Sequence, residues 1–197
     1  MFLLGFLFAG CISSHDSSIT KAVSITVDEK MIISAPKGFC VDQKMVDKTS
    51  DAITLFVIDC ISTENSIEKV FARRPISTVM TATIIGPLTA DLTSVESLRT
   101  FFTTQPGINY LSRSETNKIL KLHVVEEINN ILLFLVEQRP TDINFTQSSY
   151  YWRAFFIHNK KIISLTASNF SEDKYSRKRL RKLILEFSRN ILLANSK

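Results

Sequence analysis

Two successive hairpin patterns in the second half of the chain constrain its fold more than any other feature. Apolar and polar residues alternate over 120–124, the pair Asn129-Asn130 tolerates positive φ, and residues 131–136 are apolar throughout. This pattern predicts a hairpin closed by a tight turn. Residues 150–169 repeat it across a polar bend. We therefore expect two successive hairpins of antiparallel strands in the second half of the chain.

Earlier segments also have strand patterns. Residues 24–27 and 31–35 are predicted to be extended, and the second of them ends at the turn signal Pro36-Lys37-Gly38. Residues 51–60 are rich in β-branched and aromatic side chains and are apolar on both faces, which is typical of a central strand. Residues 79–85 predict one more strand.

Two helices are predicted. Thr93 and Glu96 have capping-box spacing and precede a mid-chain helix, which Gln105-Pro106-Gly107 is expected to end. Ser171 is the predicted N-cap of a C-terminal helix, whose apolar stripe comprises Leu180, Leu183, Ile184, Phe187 and Ile191. The order of elements predicts an α+β fold, an antiparallel β-sheet of hairpins with the mid-chain helix and the C-terminal amphipathic helix packed on it.

The first twelve residues, MFLLGFLFAGCI, are apolar throughout. A membrane-spanning helix needs about 20 such residues, whereas a secretory signal has an apolar core of about 7 to 15 that ends in small residues. The segment Phe8-Ala9-Gly10-Cys11 resembles the lipobox of bacterial lipoproteins, in which the cysteine is acylated and becomes the new N-terminus. The resemblance implies a signal peptide over residues 1–10 and lipid attachment at Cys11. It also implies sorting to the outer membrane, because Ile12 follows the cysteine.

Three parts of the chain are therefore expected. The signal peptide, 1–10, is followed by the lipidated cysteine and a flexible tether over 11–23, because the serine-rich stretch has little to bury. Residues 24–197 then form a single domain. The alternative for the first twelve residues is a buried strand or helix with a free Cys11.

The remaining cysteines, Cys40 and Cys60, are an even number in a chain that would then lie in an oxidising compartment. We expect one disulfide that closes a loop of about 20 residues. Two buried free thiols are the alternative. A zinc site is not expected, because the chain has no Cys-x-x-Cys and its 3 histidines have no ligand spacing to either cysteine.

The net charge of +5 arises at the C-terminus. Residues 172–197 contain eight basic and three acidic residues, whereas residues 1–171 carry 16 of each sign. The basicity is therefore no property of the whole surface, and no nucleic-acid partner is expected. The cations lie opposite the apolar stripe and form either a solvated face or a contact with anionic headgroups or a partner. They are Lys174, Arg177, Lys178, Arg181, Lys182 and Arg189.

The sequence offers little catalytic chemistry. No serine lies in a Gly-x-Ser-x-Gly context. His123 has no acidic or nucleophilic neighbour in sequence, and His158 lies in a predicted bend. Glu126 and Glu127 are expected to point to opposite faces of their strand, solvated at a hairpin end, so they cannot form an acid–base pair. No catalytic residue, metal site or cofactor is predicted.

Aromatic residues concentrate in the strand predicted over 150–157. Alternation places Trp152 and Phe156 on one face and Tyr151 and Phe155 on the other. The strand is then either central and buried on both faces, or it presents an aromatic surface to a ligand or partner.

Residues 33–42, ISAPKGFCVD, resemble the opening of the PsbP/Mog1-like α+β domains, and Tyr151–Ile157 with Leu165–Ser168 resemble their closing hairpin. The same segments are similar to a family of small bacterial envelope lipoproteins, which share a Gly-aromatic-Cys segment, a second cysteine and a Trp-Arg-Ala-Phe strand. The resemblance implies an α+β fold with a scaffolding or binding role, and it brings no catalytic residues.

Together these features predict a non-enzymatic, membrane-tethered envelope lipoprotein on the periplasmic side, in the outer membrane, that acts as a binding or structural module. One alternative is an enzyme whose site is assembled from scattered residues, which a polar pocket around His123 with carboxylate neighbours would favour. The other is an intracellular basic domain that binds an acidic partner.

Overall fold

One antiparallel sheet contains most of the strands. The computed structural model describes residues 21–27, 31–60, 77–86, 92–112, 120–138, 148–170 and 176–196. Within these ranges the chain forms ten strands and three helices. In order they are β1 (Lys21–Ala22), β2 (Ser24–Val27), β3 (Met31–Ser34), β4 (Phe39–Lys48), β5 (Ala52–Asp59), β6 (Thr78–Ile85), α1 (Val95–Phe101), α2 (Gln105–Tyr110), β7 (Leu120–Ile128), β8 (Ile131–Gln138), β9 (Tyr150–His158), β10 (Lys161–Asn169) and α3 (Arg177–Ala194).

The strand order β1-β4-β5-β6-β10-β9-β8-β7 forms an eight-stranded sheet whose neighbouring strands are all antiparallel. β2 and β3 pair separately. Both predicted hairpins are confirmed. β7 and β8 turn at Asn129 and Asn130, and β9 and β10 turn at Asn159 and Lys160, all with positive φ. The strand predicted as central, β5, lies between β4 and β6.

α3 covers one side of the sheet, which we call the α3 face. Its stripe of Leu180, Ile184, Phe187 and Ile191 is buried, as predicted. The stripe packs in the larger of two cores, which collects apolar side chains from β2 to β10. Burial of each side chain of this size stabilises the fold by about 1.5–3 kcal/mol, so this contact fixes α3 on the sheet.

α1 and α2 pack on part of the opposite side, the α1 face. Leu98 and Phe102 contact β8 and β9 in a second, smaller core. The ring centroid of Phe102 lies 5.0 Å from that of Phe134 and 4.4 Å from that of Phe155. Helices thus cover β8 and β9 on both faces.

The fold is mostly β, and the predicted α+β class is wrong. In the described ranges more than twice as many residues lie in strands as in helices. α1 has 7 residues and α2 has 6, so α3, with 18, is the one long helix there. The physical reason is that most of the apolar segments in these ranges form strands of 8 to 10 residues. The PsbP/Mog1-like α+β fold that the resemblance implied is overturned with the class.

Two helix boundaries differ from the prediction. Ser94, and not Thr93, caps α1, because the Ser94 hydroxyl accepts the Ser97 N–H at 3.1 Å and the Ser97 hydroxyl accepts the Ser94 N–H at 3.1 Å. The segment Gln105-Pro106-Gly107, expected to end a helix, begins α2. Proline is favourable in the first turn, where its missing N–H has no helical partner.

The ends of the domain also shift. α3 begins at Arg177 with Ser176 as its N-cap, and the predicted cap Ser171 lies outside the described residues. The sheet begins at Lys21, within the segment predicted as a tether over 11–23. The predicted signal peptide, 1–10, and Cys11 also lie outside the described residues.

Gly107 allows α2 to pack closely behind α1. A Cβ at this position would lie 2.1 Å from the Phe101 carbonyl oxygen, so Gly107→Ala requires the backbone to move. We expect it to lower the free energy of unfolding by about 1–3 kcal/mol, as overpacking does, in urea denaturation. Gly86→Ala is the matched control, because the nearest atoms belong to the flexible Lys161 side chain, at 3.3 Å. Equal losses in the two variants would contradict this role.

Candidate functional site

A disulfide joins Cys40 and Cys60, as predicted. Cys40 lies at the start of β4 and Cys60 directly after β5, so the bond closes the open end of the β4–β5 hairpin. The Cys60 N–H donates to the Gly38 carbonyl at 3.1 Å, and Gly38 has a φ of 86° in the preceding turn. A structural disulfide favours a location in the cell envelope or outside the cell, where thiols are oxidised.

Polar contacts fix the rotation of α3 and so decide which of its side chains face solvent. Asn190 Nδ2 donates to the Ala35 carbonyl at 3.0 Å. The Asn195 side chain accepts from the Ile32 N–H at 2.8 Å and donates to the Ile32 carbonyl at 2.7 Å. The C-terminal half of α3 is therefore attached to β3 and the turn that follows it.

Two of the predicted contact residues on α3 interact within the domain. The guanidinium carbon of Arg177 lies 3.5 Å from the Tyr150 ring centroid, a cation–π arrangement. Arg181 forms an ion pair with Glu126 of β7, and its Nε lies 3.1 Å from Glu126 Oε2. Both arginines thus hold the N-terminal half of α3 on the sheet.

Three predicted residues remain on the outer side of α3, and we call Lys178, Lys182 and Arg189 the basic stripe. All three are exposed and form no ion pair within the structure as described. Glu186, on the same helix, accepts a hydrogen bond from the Lys37 N–H at 3.0 Å. The sixth predicted residue, Lys174, lies outside the described residues.

His123 has a carboxylate partner that is remote in sequence. Its Nε2 lies 2.5 Å from Glu137 Oε2, at the register shift between Leu122 and Val124 in the β7–β8 hairpin. The hydrogen bond to His123 lowers the pKa of Glu137 below its ordinary value of 4.5. The ring of Tyr150 lies 5.4 Å from the imidazole between centroids. The two side chains are 26% and 24% exposed, so the pair lies at an accessible edge of the sheet.

Glu126 and Glu127 point to opposite faces, as predicted, but the expectation that both are merely solvated is wrong. Glu126 pairs with Arg181 on the α3 face, and Glu127 pairs with Arg99 of α1 on the α1 face. Adjacent residues of β7 therefore bind helices on both sides of the sheet. No local pattern shows these partners, which are 55 and 28 residues away.

The aromatic strand β9 is buried on both faces. Tyr151 and Phe155 are 0% exposed on one side, and Trp152 and Phe156 are 3% and 1% exposed on the other. The predicted alternation is confirmed, and the alternative of an aromatic surface for a ligand is wrong. The Tyr151 hydroxyl donates to the Leu111 carbonyl at 2.7 Å, so its polar atom is satisfied inside the core.

A patch of hydroxyl side chains lies on the α1 face, on β6 and β10. The strand register pairs Ser164 with Thr83 and Thr166 with Thr81. Arg153 of β9 borders the patch, and its Nη2 donates to the Ser164 hydroxyl at 3.2 Å. This patch was not predicted from the sequence, although the strict alternation of residues 78–85 was its visible signal.

Two further titratable side chains occupy unusual settings. His158, predicted in a bend, ends β9, and its Nε2 is buried without a hydrogen bond. Burial raises the pKa of the Tyr110 phenol, and the Arg153 charge partly opposes that rise.

The part of the chain that the structure describes has no cluster of three or more His, Cys, Asp or Glu residues that could hold a metal ion. In the same ranges, no helix combines the length and apolar character needed to cross a membrane.

No family model and no curated protein matches this chain. Among solved structures, the extracellular domain of PknH from Mycobacterium tuberculosis is similar, with a TM-score of 0.37 and 7% sequence identity. The alignment covers 71% of this chain and 63% of that one, which is less than two thirds of its length. A likeness at this level carries no conclusion about function.

Removal of the disulfide should destabilise the domain. The bond joins residues separated by 20 positions, a loop worth about 3 kcal/mol in the chain-entropy model. We expect Cys40→Ala/Cys60→Ala to lower the free energy of unfolding by about that amount in urea without reductant. Reductant should destabilise the wild type similarly and leave the double variant unchanged. A double variant as stable as the oxidised wild type would contradict this role.

Glu137 should make stability sensitive to acid. A carboxyl whose pKa is lowered by folding contributes stability above its ordinary pKa of 4.5, and this contribution is lost as the pH falls through the folded-state pKa. We expect the wild type to lose more stability than Glu137→Gln between neutral pH and a pH of about 3, measured by urea denaturation. Asp47→Asn, which removes an exposed carboxylate of β4, should keep the wild-type slope. Identical slopes in Glu137→Gln and the wild type would refute this origin.

Proposed function

We propose that this chain is a non-enzymatic module of the bacterial cell envelope, tethered on the periplasmic side of the membrane by acylation of Cys11. The folded domain serves as a binding or structural module at that surface. The observation that carries the proposal is the Cys40–Cys60 disulfide. A cross-link of this kind persists in exported proteins and is rare in the reducing cytosol.

The N-terminal sequence supplies the tether. Phe8-Ala9-Gly10-Cys11 resembles a lipobox, and Ile12 supports sorting to the outer membrane by the same resemblance. A single acyl chain binds a membrane only marginally, whereas several chains on one cysteine hold far more firmly. Export also accounts for the disulfide, because it carries Cys40 and Cys60 into an oxidising compartment.

Glu137 is a carboxylate neighbour of the kind that an enzyme site around His123 would need, but the other contacts of His123 support a non-enzymatic role. Its described partners are the Glu137 carboxylate and the Tyr150 ring, so the imidazole orients no hydroxyl or thiol nucleophile among the described residues. The pair lies at an accessible edge, where water weakens electrostatic stabilisation. A histidine–carboxylate link between two strands is better suited to holding β7 against β8.

Cys11→Ser should abolish lipid modification. We expect the intact mass of the wild type to equal the chain from Cys11 to Lys197 plus its acyl groups, and the wild type to fractionate with membranes. Cys11→Ser should keep residues 1–10 and carry no acyl mass. Ser13→Ala, two residues away, is the matched control and should mature normally.

A wild-type chain that begins at Met1 without acyl groups would overturn the proposal. Recovery of that chain from the cell interior would favour a basic domain that binds an acidic partner.

A further inference from the structure

We propose that the basic stripe of α3 rests on anionic phospholipid headgroups, so that Lys178, Lys182 and Arg189 orient the tethered domain on the membrane. This inference rests on the proposed function, because the acyl anchor brings the domain to the surface. Three features support it, namely the charge of the stripe, its position on α3 and the place where the chain enters the domain.

The stripe is cationic, and its members have no ion-pair partner among the described residues. Its residues are separated by four and by seven positions, a spacing that places them on one side of a helix. That side lies opposite the buried Ile184 and Phe187. Glu186, on the same helix, directs its carboxylate to the Lys37 N–H, and no described ion pair joins it to the stripe. The outer side of α3 therefore presents three exposed cations without a described counter-ion.

Arg177 and Arg181 are not part of the proposed contact with the headgroups. Arg177 lies over the Tyr150 ring and Arg181 is paired with Glu126. The structure thus separates five of the six basic residues that the sequence grouped together, since Lys174 lies outside the described residues. Two stabilise α3 on the sheet, and the three of the stripe are available to an external anion.

The chain enters the domain close to α3. The Val23 carbonyl accepts the Ala35 N–H at 2.8 Å, and the Ala35 carbonyl accepts Asn190 Nδ2 at 3.0 Å. Two hydrogen bonds therefore connect the end of the predicted tether to the C-terminal half of α3. An anchor upstream of Lys21 pulls this side of the domain toward the bilayer.

Exposed apolar side chains lie on the same two segments. Val23 is 60% exposed and Leu193, in the last turn of α3, is 65% exposed. They are the most exposed large hydrophobic side chains among the described residues. Apolar side chains beside cations are typical of surfaces that contact a membrane interface.

Because the domain is tethered, a surface with only a weak affinity for the membrane is sufficient to orient it. Nine residues lie between Cys11 and Lys21, and the ten steps along the chain span at most about 35 Å. The contact with headgroups is then intramolecular and benefits from a high effective concentration. Each cation near an anionic leaflet increases binding roughly fivefold, so three cations give roughly a hundredfold preference for the docked orientation.

The test uses the full acylated chain in vesicles of phosphatidylcholine alone or with phosphatidylglycerol. Acetylation of individual lysines is followed by mass spectrometry, with Lys160 in the β9–β10 turn as the exposed reference. We expect Lys178 and Lys182 to react at least about fivefold more slowly in the anionic vesicles, and high salt to remove the protection. Equal rates in both vesicles would overturn the proposal.

A charge reversal provides the matched comparison. Arg189→Glu removes one member of the stripe and leaves both lysine probes in place, so their protection should fall several-fold. Lys48→Glu makes the same change of net charge at an exposed position of β4 and should leave the protection intact. Equal effects of the two variants would show that net charge matters and the stripe does not, which would refute the proposal.

The intact mass separates this failure from that of the proposed function. An unacylated chain refutes the tether, and the docked orientation, which depends on the tether, is refuted with it. An acylated chain whose Lys178 and Lys182 react equally in both kinds of vesicle refutes the stripe and leaves the tether standing.

Discussion

The fold depends on covering β8 and β9 on both faces. These strands point large apolar side chains in both directions, and an uncovered face would leave several aromatic rings in water. α3 covers one side of the sheet, and α1 with α2 covers the other side over β8 and β9. The position of α3 decides which of its cations meet solvent, so the surface chemistry of the domain follows from the packing of its core.

Local patterns predicted the hairpins, the central strand β5 and the amphipathic helix. Alternation, turn residues and the apolar stripe can all be recognised from residues that are close together in the sequence. They did not predict the fold class. The lengths of α1 and α2 depend on where they meet the sheet. Whether Gln105-Pro106-Gly107 ends a helix or begins one also depends on its tertiary contacts. Proline ends a helix when it follows one and favours a helix when it begins one.

In the candidate site, too, local features could be predicted from the sequence, whereas contacts between distant residues could not. The Cys40–Cys60 pairing was open to inference from the cysteine count, and the six cations were visible on the helical wheel. Their separate roles were not, because the partners of Arg177 and Arg181 come from distant strands. The contact between His123 and Glu137 was not predicted, for a related reason. A register shift in β7 brings together residues 14 positions apart, and such irregularities have no reliable local signature.

The two glutamates of β7 give this edge strand a means of rejecting a wrong alignment. Glu126 and Glu127 bind arginines on opposite sides of the sheet. A slip of one residue would turn every side chain of β7 to the other face of the sheet. One glutamate would then take the place of the other, and either Ile128 would face Arg99 or Val125 would face Arg181, so one of the two ion pairs is lost in either direction of slip. Only the native alignment satisfies both arginines, which helps to fix the register of a strand that has a single neighbour in the described sheet.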